Sequence, residues 1–453
     1  MNAPLPLKKP ELLLPAGSLA HLRHAYAFGA DAVYAGQPGY SLRARHNAFG
    51  LDELAQGMEE AHRLGKKFYL TSNLLPHNDR VRTYLRDLAP IVALQPDGIV
   101  MADPGLITMV LDLMHSGTWN PVPIHLSVQA NTTNHLGVKF WAKQGVKRII
   151  LSRELSLDEV EALRNECPDV ELEVLVHGSL CIAYSGRCLL SGYFNRRNPE
   201  LNQNPGSAFN ETDSPARLGA DFSFASEQQQ ADSAFAACGG SPRHPAANQM
   251  YLLEEAERPG QLMPIMEDEH GTYIMNSKDL RAVEHVARLV GMGVDALKIE
   301  GRTKSPYYVA RTAQVYRQAI DDAAAGRPFN PMLVAQLESL APRGYTSGFM
   351  ERRPTQDLQA YEAGGPHAQA SQLVGEVLSA ADDWVEVKAG QPLAVGDNLA
   401  LVHPSGNRTM KLEQLKNAES QPMETTSANG QTVWLAVPGP AEASLGGWVT
   451  KIN

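Results

Sequence analysis

A short apolar segment followed by an amphipathic segment recurs along the first 180 residues, and this alternation constrains the fold more than any other feature. Strands that alternate with helices form parallel sheets, and segments that are apolar on both faces are typical of strands covered on both sides. Seven or eight such units favour a closed, TIM-like (β/α) barrel, with an open doubly wound sheet as the alternative. The predicted strands are 11–17, 31–36, 67–73, 98–103, 124–129, 148–153, 171–177, 273–276 and 296–301. Helical spacing is found at 19–29, 280–289 and 307–325.

The rest of the chain divides into parts with other patterns. Residues 198–249 are rich in Asn, Gln, Ser, Ala and Pro and have little periodicity, which predicts an irregular insertion in a barrel domain that spans 1–330. Residues 331–371 carry Pro and Gly and predict a connection with short helical pieces. From 372 to 453 the hydrophobic period becomes two, which predicts a small C-terminal antiparallel β-barrel module.

Composition narrows the classes of protein. The net charge is −10, so a contact with nucleic acid needs a local basic patch. The sequence has no run of about 18 apolar residues, and no apolar signal core follows Lys8 and Lys9, so we expect a cytoplasmic protein without a membrane span. Four cysteines in 453 residues do not form a disulfide framework.

Polar and small residues cluster at the predicted C-terminal strand ends, where barrel enzymes place their active sites. Among them we assign catalytic roles to His177, Lys298, Glu300 and Arg302. The basic segment 298–304 can bind a phosphate or a carboxylate; equally, Lys298 and Glu300 can neutralise each other inside the barrel. The other residues at these ends are Pro15, Ala16, Gly17, Tyr34, Gly36, Ser72, Asn73, Asp103, Gln129, Asn131, Arg153, Glu154 and Gly178.

The densest local signal is EVLVHGSLCIAYSGRCLLS at 173–191. Cys181 and Cys188 lie seven residues apart just after a strand end, and thiolates in such a place suit zinc or an iron–sulfur cluster. The alternative is a pair of buried small apolar side chains, which is a common state of free cysteine. Spacing alone leaves both interpretations open.

This segment resembles the signature of peptidase family U32, with Leu175 where the family usually has an aromatic residue. The chain length and the terminal β module resemble the long branch of the family, whose members help hydroxylate the wobble uridine of tRNA. The resemblance implies a TIM-like barrel, tRNA as partner, 5-hydroxyuridine as product, an iron–sulfur cluster held by four cysteines, and prephenate as a linked metabolite. Other segments that agree with the family are ELLLPAGS, GADAVYAG, LSVQANTTN, EDEHGTYIMNSKDL and LKIEGRTKSPYYVARTAQVYR.

The chain departs from the family pattern where the remaining cysteine ligands belong. Cys181 and Cys188 match the first two family ligands, and Ala208 stands where the third would fall. Cys238 is the next thiol along the chain and can fold back to the site. We therefore assign Cys181 and Cys188 as metal ligands, and these two with Cys238 as cofactor-binding residues.

The fourth ligand has fewer candidates. Cys167 precedes the strand 171–177 and Cys181 follows it, so about 20 Å of extended chain separate the two thiols and exclude Cys167 from a shared cluster. His177 and His244 are candidate fourth ligands. Another chain or a small molecule that completes the cluster is the alternative.

A patch facing RNA is the remaining structural prediction. Cations near aromatic side chains suit phosphate binding and base stacking, and the alternatives are solvated charge and loop anchoring. The candidates are Arg187, Arg196, Arg197, Lys66, Lys67, Tyr193 and Phe194.

Three functions are compatible with these features. The first is an RNA-modifying enzyme, or the essential accessory of one. The second is a metal-assisted, collagenase-like peptidase, although the sequence contains neither an HExxH helix nor a recognisable hydrolytic triad. The third is a non-catalytic tRNA-binding relative that has lost its cluster.

Overall fold

Eight parallel strands form a closed barrel in the computed structural model of this chain. The strands follow one another around the barrel in sequence order, and the last strand closes the barrel by pairing with both the first and the seventh. The barrel strands are β1 (Glu11–Pro15), β2 (Ala32–Gly36), β3 (Lys67–Ser72), β4 (Gly98–Met101), β5 (Ile124–Leu126), β6 (Arg148–Ile150), β7 (Glu171–Ser179) and β12 (Ala296–Ile299). The structure describes residues 7–41, 49–179, 251–254, 262–268, 271–274, 278–302, 304–341, 344–351, 371–426, 430–439 and 441–452.

Helices cover the outer face of the barrel, as the repeated strand–helix unit predicts. Outward-facing strand residues such as Leu12, Phe68 and Ile99 are fully buried in the main apolar core, which lies between the strands and the helices. The closed barrel is therefore confirmed, and the open sheet is excluded. The helices are α1 (Leu19–Ala27), α2 (Leu51–Arg63), α3 (Asn78–Ala93), α4 (Pro104–His115), α5 (His135–Lys143), α6 (Leu157–Glu166), α7 (Val286–Met292), α8 (Pro306–Ala324) and the short α9 (Met332–Ala335).

The interior of the barrel contains a buried network of charges. Arg148 on β6 pairs with Glu11 on β1 at 2.7 Å and with Glu173 on β7 at 3.4 Å. Lys298 on β12 pairs with Glu173 at 2.8 Å, and the Tyr69 hydroxyl donates to Glu11. Burial opposes the charged forms of Glu11 and Arg148, yet Arg148 lowers the pKa of Glu11, and Glu11 and Glu173 raise the pKa of Arg148. The network thus holds together side chains from five strands.

Two further groups of strands extend this architecture. Beyond the barrel, β7 pairs with β11 (Asp279–Arg281), which in turn pairs in parallel with β13 (Tyr345–Thr346). A separate three-stranded sheet consists of β8 (Tyr251–Glu254), β9 (Leu262–Asp268) and β10 (Gly271–Ile274).

Two sequence predictions in this region are wrong. The segment 273–276 was expected to be a barrel strand, but β10 covers its first part and pairs antiparallel with β9. The predicted helix 280–289 begins as strand β11, and regular α-helix starts only at Val286. The predicted insertion 198–249 lies outside the described residues.

The C-terminal module is built from antiparallel strands, as predicted, and a short 3-10 helix, Ala441–Ser444, precedes the last of them. The strands are β14 (Ser371–Ala381), β15 (Trp384–Ala389), β16 (Asn398–Val402), β17 (Arg408–Lys411), β18 (Leu415–Asn417), β19 (Pro422–Met423), β20 (Gln431–Ala436) and β21 (Trp448–Ile452). In the order β17-β16-β21-β14-β15-β20-β18-β19, they form an antiparallel half-barrel with its own apolar core. β14 is shared by both halves of the sheet and bends at Gly375, where a Cβ would lie 2.2 Å from the Lys388 carbonyl oxygen.

The module packs against helices α1 and α8 of the barrel. The Trp448 ring lies 5.6 Å from that of Tyr307 and 5.0 Å from that of His24. Gln314 donates to the His403 carbonyl at 2.9 Å and to the Asn407 side chain at 3.0 Å. Among the described residues, no helix is both long and apolar enough to cross a bilayer.

Candidate functional site at the barrel mouth

Three of the predicted site residues meet at one aromatic ring, that of Tyr34. The Tyr34 hydroxyl lies 3.0 Å from the Ile299 carbonyl oxygen and 3.2 Å from Glu300 Oε2, and it can donate its one proton to either acceptor. The ammonium of Lys298 lies 4.3 Å, and the guanidinium of Arg302 5.8 Å, from the centre of the ring. A cation over an aromatic face is attracted by the ring electrons, so Tyr34 organises both charges.

Lys298 lies deeper in the barrel than the other two. Its ammonium pairs with Glu173, which is fully buried, and not with Glu300. The alternative in which Lys298 and Glu300 neutralise each other is therefore wrong. Lys298 links the interior charge network to the Tyr34 ring and helps to hold that ring in place.

Arg302 follows β12 and is 6% exposed, and its guanidinium lies beside Gly36, the last residue of β2. It donates to the Ser41 hydroxyl at 2.7 Å. A Cβ added to Gly36 would lie 2.8 Å from the Arg302 guanidinium. Any other residue at position 36 would therefore force the guanidinium to move from its observed position. The absence of a side chain at Gly36 thus leaves room for the Arg302 cation beside the mouth.

Polar side chains, most of them neutral, form the opposite side of the mouth. Asn73 donates to Ser127 at 3.2 Å and to Gln129 at 3.0 Å. Ser152 donates to Asn131 at 2.9 Å and also contacts Glu154. Because these strand-end side chains are hydrogen-bonded to one another, they present fixed donors and acceptors at the mouth.

Two buried polar side chains at this end of the barrel were missed by the sequence analysis. Gln37 is 1% exposed and Thr71 is 4% exposed. Neither the Gln37 amide nor the Thr71 hydroxyl has a hydrogen-bond partner in the part of the chain that the structure describes. Thr71 shares a strand face with Tyr69, whose side chain lies inside the barrel, so period-two alternation along β3 is the signal that could have found it.

His177 lies outside the group around Tyr34. Its imidazole is 1% exposed and packs against the rings of Tyr308, Tyr316 and Tyr345. The Tyr316 hydroxyl donates to the Val176 carbonyl at 2.8 Å, so its oxygen can accept from His177 Nδ1 at 3.2 Å. Burial, helped by nearby Arg281 and Lys304, lowers the pKa of His177 to about 3. The imidazole is therefore neutral at physiological pH and acts as a packing group between β7 and α8.

The predicted cofactor ligands Cys181, Cys188 and Cys238 lie outside the described residues. Cys167 is 3% exposed at the end of α6, before β7 begins, and burial raises its pKa. Within the described ranges, no group of three or more His, Cys, Asp or Glu side chains could hold a metal ion. The described part of the mouth thus offers hydrogen-bonding groups and charges rather than a metal site.

Among the residues that the structure describes, a serine–histidine pair has one of the contacts of a hydrolytic site. Ser18 Oγ lies 2.8 Å from His21 Nδ1, and His21 Nε2 lies 2.9 Å from the Lys304 carbonyl oxygen. Ser18 precedes helix α1, and His21 is in the first turn of that helix. The third partner is a backbone carbonyl instead of the carboxylate of a catalytic triad, so the pair lacks the group that would orient and charge-stabilise a catalytic histidine.

The predicted lysines of an RNA-facing patch lie at the opposite end of the barrel from the mouth. Lys67 begins β3 and pairs with Glu11 at 2.8 Å, and Lys66 lies 3.7 Å from Asp31. These contacts agree with solvated surface charge, the alternative interpretation. The other candidates, Arg187, Tyr193, Phe194, Arg196 and Arg197, lie outside the described residues.

The fold and the mouth define a class: a TIM-like barrel with a polar C-terminal mouth and an appended antiparallel β module. Family models match this chain as peptidase family U32 over residues 17–360 and as the peptidase family U32 C-terminal domain over residues 369–445. The chain therefore belongs to peptidase family U32, as the sequence motifs indicated.

Three curated relatives show how similar the chain is to known members. It is 50% identical to tRNA hydroxylation protein P of Escherichia coli (strain K12) over 439 residues, which cover 96% of this chain and 95% of that protein. It is 46% identical to tRNA hydroxylation protein P of Haemophilus influenzae over 443 residues, covering 95% and 94%. It is also 28% identical to the 23S rRNA 5-hydroxycytidine C2501 synthase of E. coli over 439 residues, covering 94% and 56%.

Proposed function

We propose that this chain, as an enzyme or as the essential accessory of one, hydroxylates RNA and forms 5-hydroxyuridine at the wobble position of tRNA. The observation that carries the proposal is the grouping of Tyr34, Glu300 and Arg302 at the mouth of a barrel that matches a tRNA hydroxylation protein along nearly its whole length. The name of the ribosomal RNA relative describes hydroxylation of another pyrimidine, which supports the same class of reaction.

The residues of the mouth have distinct roles in this proposal. Arg302 supplies a cation for an RNA phosphate or for a small carboxylate such as prephenate. Glu300, which lies 3.2 Å from the Tyr34 hydroxyl, is placed to accept a proton from a nucleotide bound at the mouth. Lys298 acts through Tyr34 and Glu173 as a positioning residue. The oxygen atom and the electron acceptor come from a co-substrate or a cofactor.

We further propose that Cys181, Cys188 and Cys238 would hold an iron–sulfur cluster, which would supply electron transfer when bound. The support is the resemblance of 173–191 to the family signature. The test is the iron and acid-labile sulfide content of the purified chain and of Cys181→Ser, with Cys167→Ser as the matched control. Cys181→Ser is expected to lose both elements, since a thiolate ligand is removed. Full iron and sulfide in Cys181→Ser would contradict the ligand assignment.

The function itself is tested by mass spectrometry of tRNA nucleosides from cells that lack this chain. We expect wobble 5-hydroxyuridine to fall and to return when the wild-type chain is expressed again. Unchanged 5-hydroxyuridine, in a strain without a redundant pathway, would contradict the proposal. Restoration of 5-hydroxyuridine by a chain that holds no iron would instead argue against the cluster.

The peptidase and the non-catalytic alternatives predict other outcomes. A peptidase would cleave collagen-derived peptides with a titratable metal dependence. A non-catalytic tRNA-binding relative would bind tRNA but leave the 5-hydroxyuridine content unchanged when it is deleted. No feature of the described residues favours either alternative over hydroxylation.

A further inference from the structure

Helix α5 has a face on which exposed apolar side chains and cations occur together. Val138, on one side of the helix, is fully buried in the core. On the opposite side Leu136 is 68% exposed and Phe140 is 56% exposed, and the two lysines beside them are exposed as well. We refer to Leu136, Lys139, Phe140 and Lys143 as the α5 face. Large apolar side chains that stay in water next to charges are a feature of interaction surfaces, since burying them elsewhere would stabilise the fold.

The Phe140 ring has a defined orientation on this face. It lies 5.3 Å from the ring of Trp141 in an edge-to-face arrangement, and Trp141 is partly buried against the main core. A ring that is already oriented loses little conformational freedom when a flat group stacks on it. Phe140 therefore offers a stacking surface to a ligand outside the barrel.

The α5 face is positively charged, although the chain has a net charge of −10. The sequence has no acidic residue between Asp112 and Glu154. In the part of the chain that the structure describes, Lys143 has no ion-pair partner, and Lys139 pairs with Glu166 of α6 at 3.0 Å. Both members of that pair are about half exposed, so the pair contributes little and a phosphate can compete with Glu166. The face thus supplies the local basic patch that this chain needs in order to contact a polyanion.

The α5 face begins at the mouth of the barrel. The helix is preceded by Asn134, three residues after Asn131, and Asn131 accepts a hydrogen bond from Ser152 at the mouth. From there α5 runs along the outside of the barrel. Between Leu136 and Lys143 the face extends about 10 Å, at 1.5 Å per residue, which is the length of about three nucleotides of one strand. An RNA strand that enters the mouth can therefore continue over the α5 face.

We propose that the α5 face binds the tRNA strand next to the nucleotide that occupies the mouth. This inference rests on the proposed function and names a surface that holds its substrate. Lys139 and Lys143 contact phosphates, and a base packs on Phe140 and Leu136. A second copy of this chain fits the face less well, because a two-fold contact centred here would bring the lysines of both copies together.

The test measures tRNA binding by the full-length chain. The probe is total tRNA from cells that lack the native chain, and Kd is measured by filter binding between about 50 mM and 200 mM salt. Phe140→Ala removes the stacking surface, and the double variant Lys139→Gln, Lys143→Gln removes both cations. The Tm and the molar mass in solution are measured for each chain.

Two matched controls change the same kinds of group elsewhere. The double variant Lys8→Gln, Lys9→Gln removes two exposed cations before β1, which lies across the barrel from β5. Leu64→Ala removes a half-exposed apolar side chain at the end of α2.

We expect Phe140→Ala to raise the Kd about 5-fold or more, as the loss of a stacked base does. The Lys139, Lys143 double variant should raise the Kd and lower the slope of log Kd against log salt by about 1 for each lysine. Both controls should keep the wild-type salt slope and a Kd within about 2-fold, since salt screens charges that lie far from the RNA. The Tm should stay at the wild-type value in every variant, because all these positions are exposed.

The outcomes separate this inference from the proposed function. If the wild-type chain binds tRNA and restores 5-hydroxyuridine, but both α5 variants keep its Kd and salt slope, the inference is wrong and the proposed function stands. If the α5 variants weaken binding as expected but the wild-type chain restores no 5-hydroxyuridine in cells, the surface stands and the proposed function fails. A dimeric wild-type chain that becomes monomeric in Phe140→Ala, with an unchanged Kd for tRNA, would overturn the inference, since the α5 face would then be a contact between copies.

Discussion

Replacing His177 by Asn is expected to remove a large part of the acid sensitivity of the barrel. The imidazole is enclosed by tyrosines, and its pKa is lowered to about 3 by burial and by the charges of Arg281 and Lys304. In the unfolded chain the pKa of histidine is about 6.5. The stability held by the neutral imidazole is therefore fully present above about pH 6.5 and is lost as the pH falls toward 3. With about 1.36 kcal/mol for each pH unit below 6.5, the loss at pH 5 is about 2 kcal/mol.

The assay is urea unfolding of the full chain at pH 7.5 and at pH 5.0. Wild type should lose about 2 kcal/mol more unfolding free energy between the two pH values than His177→Asn loses. His115→Asn, at an exposed position of α4, should lose as much as wild type. Equal losses in wild type and His177→Asn would refute the neutral, buried imidazole and would reopen a catalytic role for this residue.

Two further predictions use the same unfolding measurement. Arg148→Met removes the positive charge that pairs with Glu11 and Glu173 inside the barrel, so it should lower the free energy of unfolding by about 3–5 kcal/mol. Arg86→Met, at an exposed position, should change this free energy little. A loss below about 1 kcal/mol for Arg148→Met would argue against the buried network. Gly178→Ala places a Cβ 2.3 Å from the Glu300 carbonyl oxygen at a φ of +111° and should cost about 2–5 kcal/mol. Gly65→Ala, at a φ of +65° with open space around it, should cost only about 1–2 kcal/mol, and similar losses in the two variants would show that the contact with Glu300 is relaxed.

The barrel could be predicted from sequence because each of its units carries its own periodic signal. The prediction of a barrel strand at 273–276 was wrong, since a short apolar run has the same pattern in a parallel barrel and in an antiparallel hairpin. The pairing of β10 with β9 depends on a neighbouring segment rather than on β10 itself. Likewise the apolar spacing of 280–289 continues across the boundary between β11 and the start of α7 at Val286.

The site was only partly predictable, for reasons of distance and direction. Strand-end position found Glu300 and Arg302, because the C-terminal ends of barrel strands meet at one mouth. It could not identify Glu173 as the partner of Lys298, since 125 residues separate them and only barrel closure brings β7 beside β12. His177 shows the limit of the rule. A position near a strand end does not say which face a side chain occupies, and this one faces a helix.

The role of the mouth is tested most directly by comparing Arg302→Met with Arg63→Met in cells that lack the native chain. Arg302 lies at the mouth, whereas Arg63 ends helix α2 at the opposite end of the barrel and is exposed. Both variants remove one positive charge, so they change the overall field equally. We expect Arg302→Met to lower wobble 5-hydroxyuridine in tRNA at least about 10-fold, because a buried charged contact to the substrate is lost, and Arg63→Met to restore it fully. Full restoration by soluble Arg302→Met would contradict the assignment of RNA hydroxylation to this mouth.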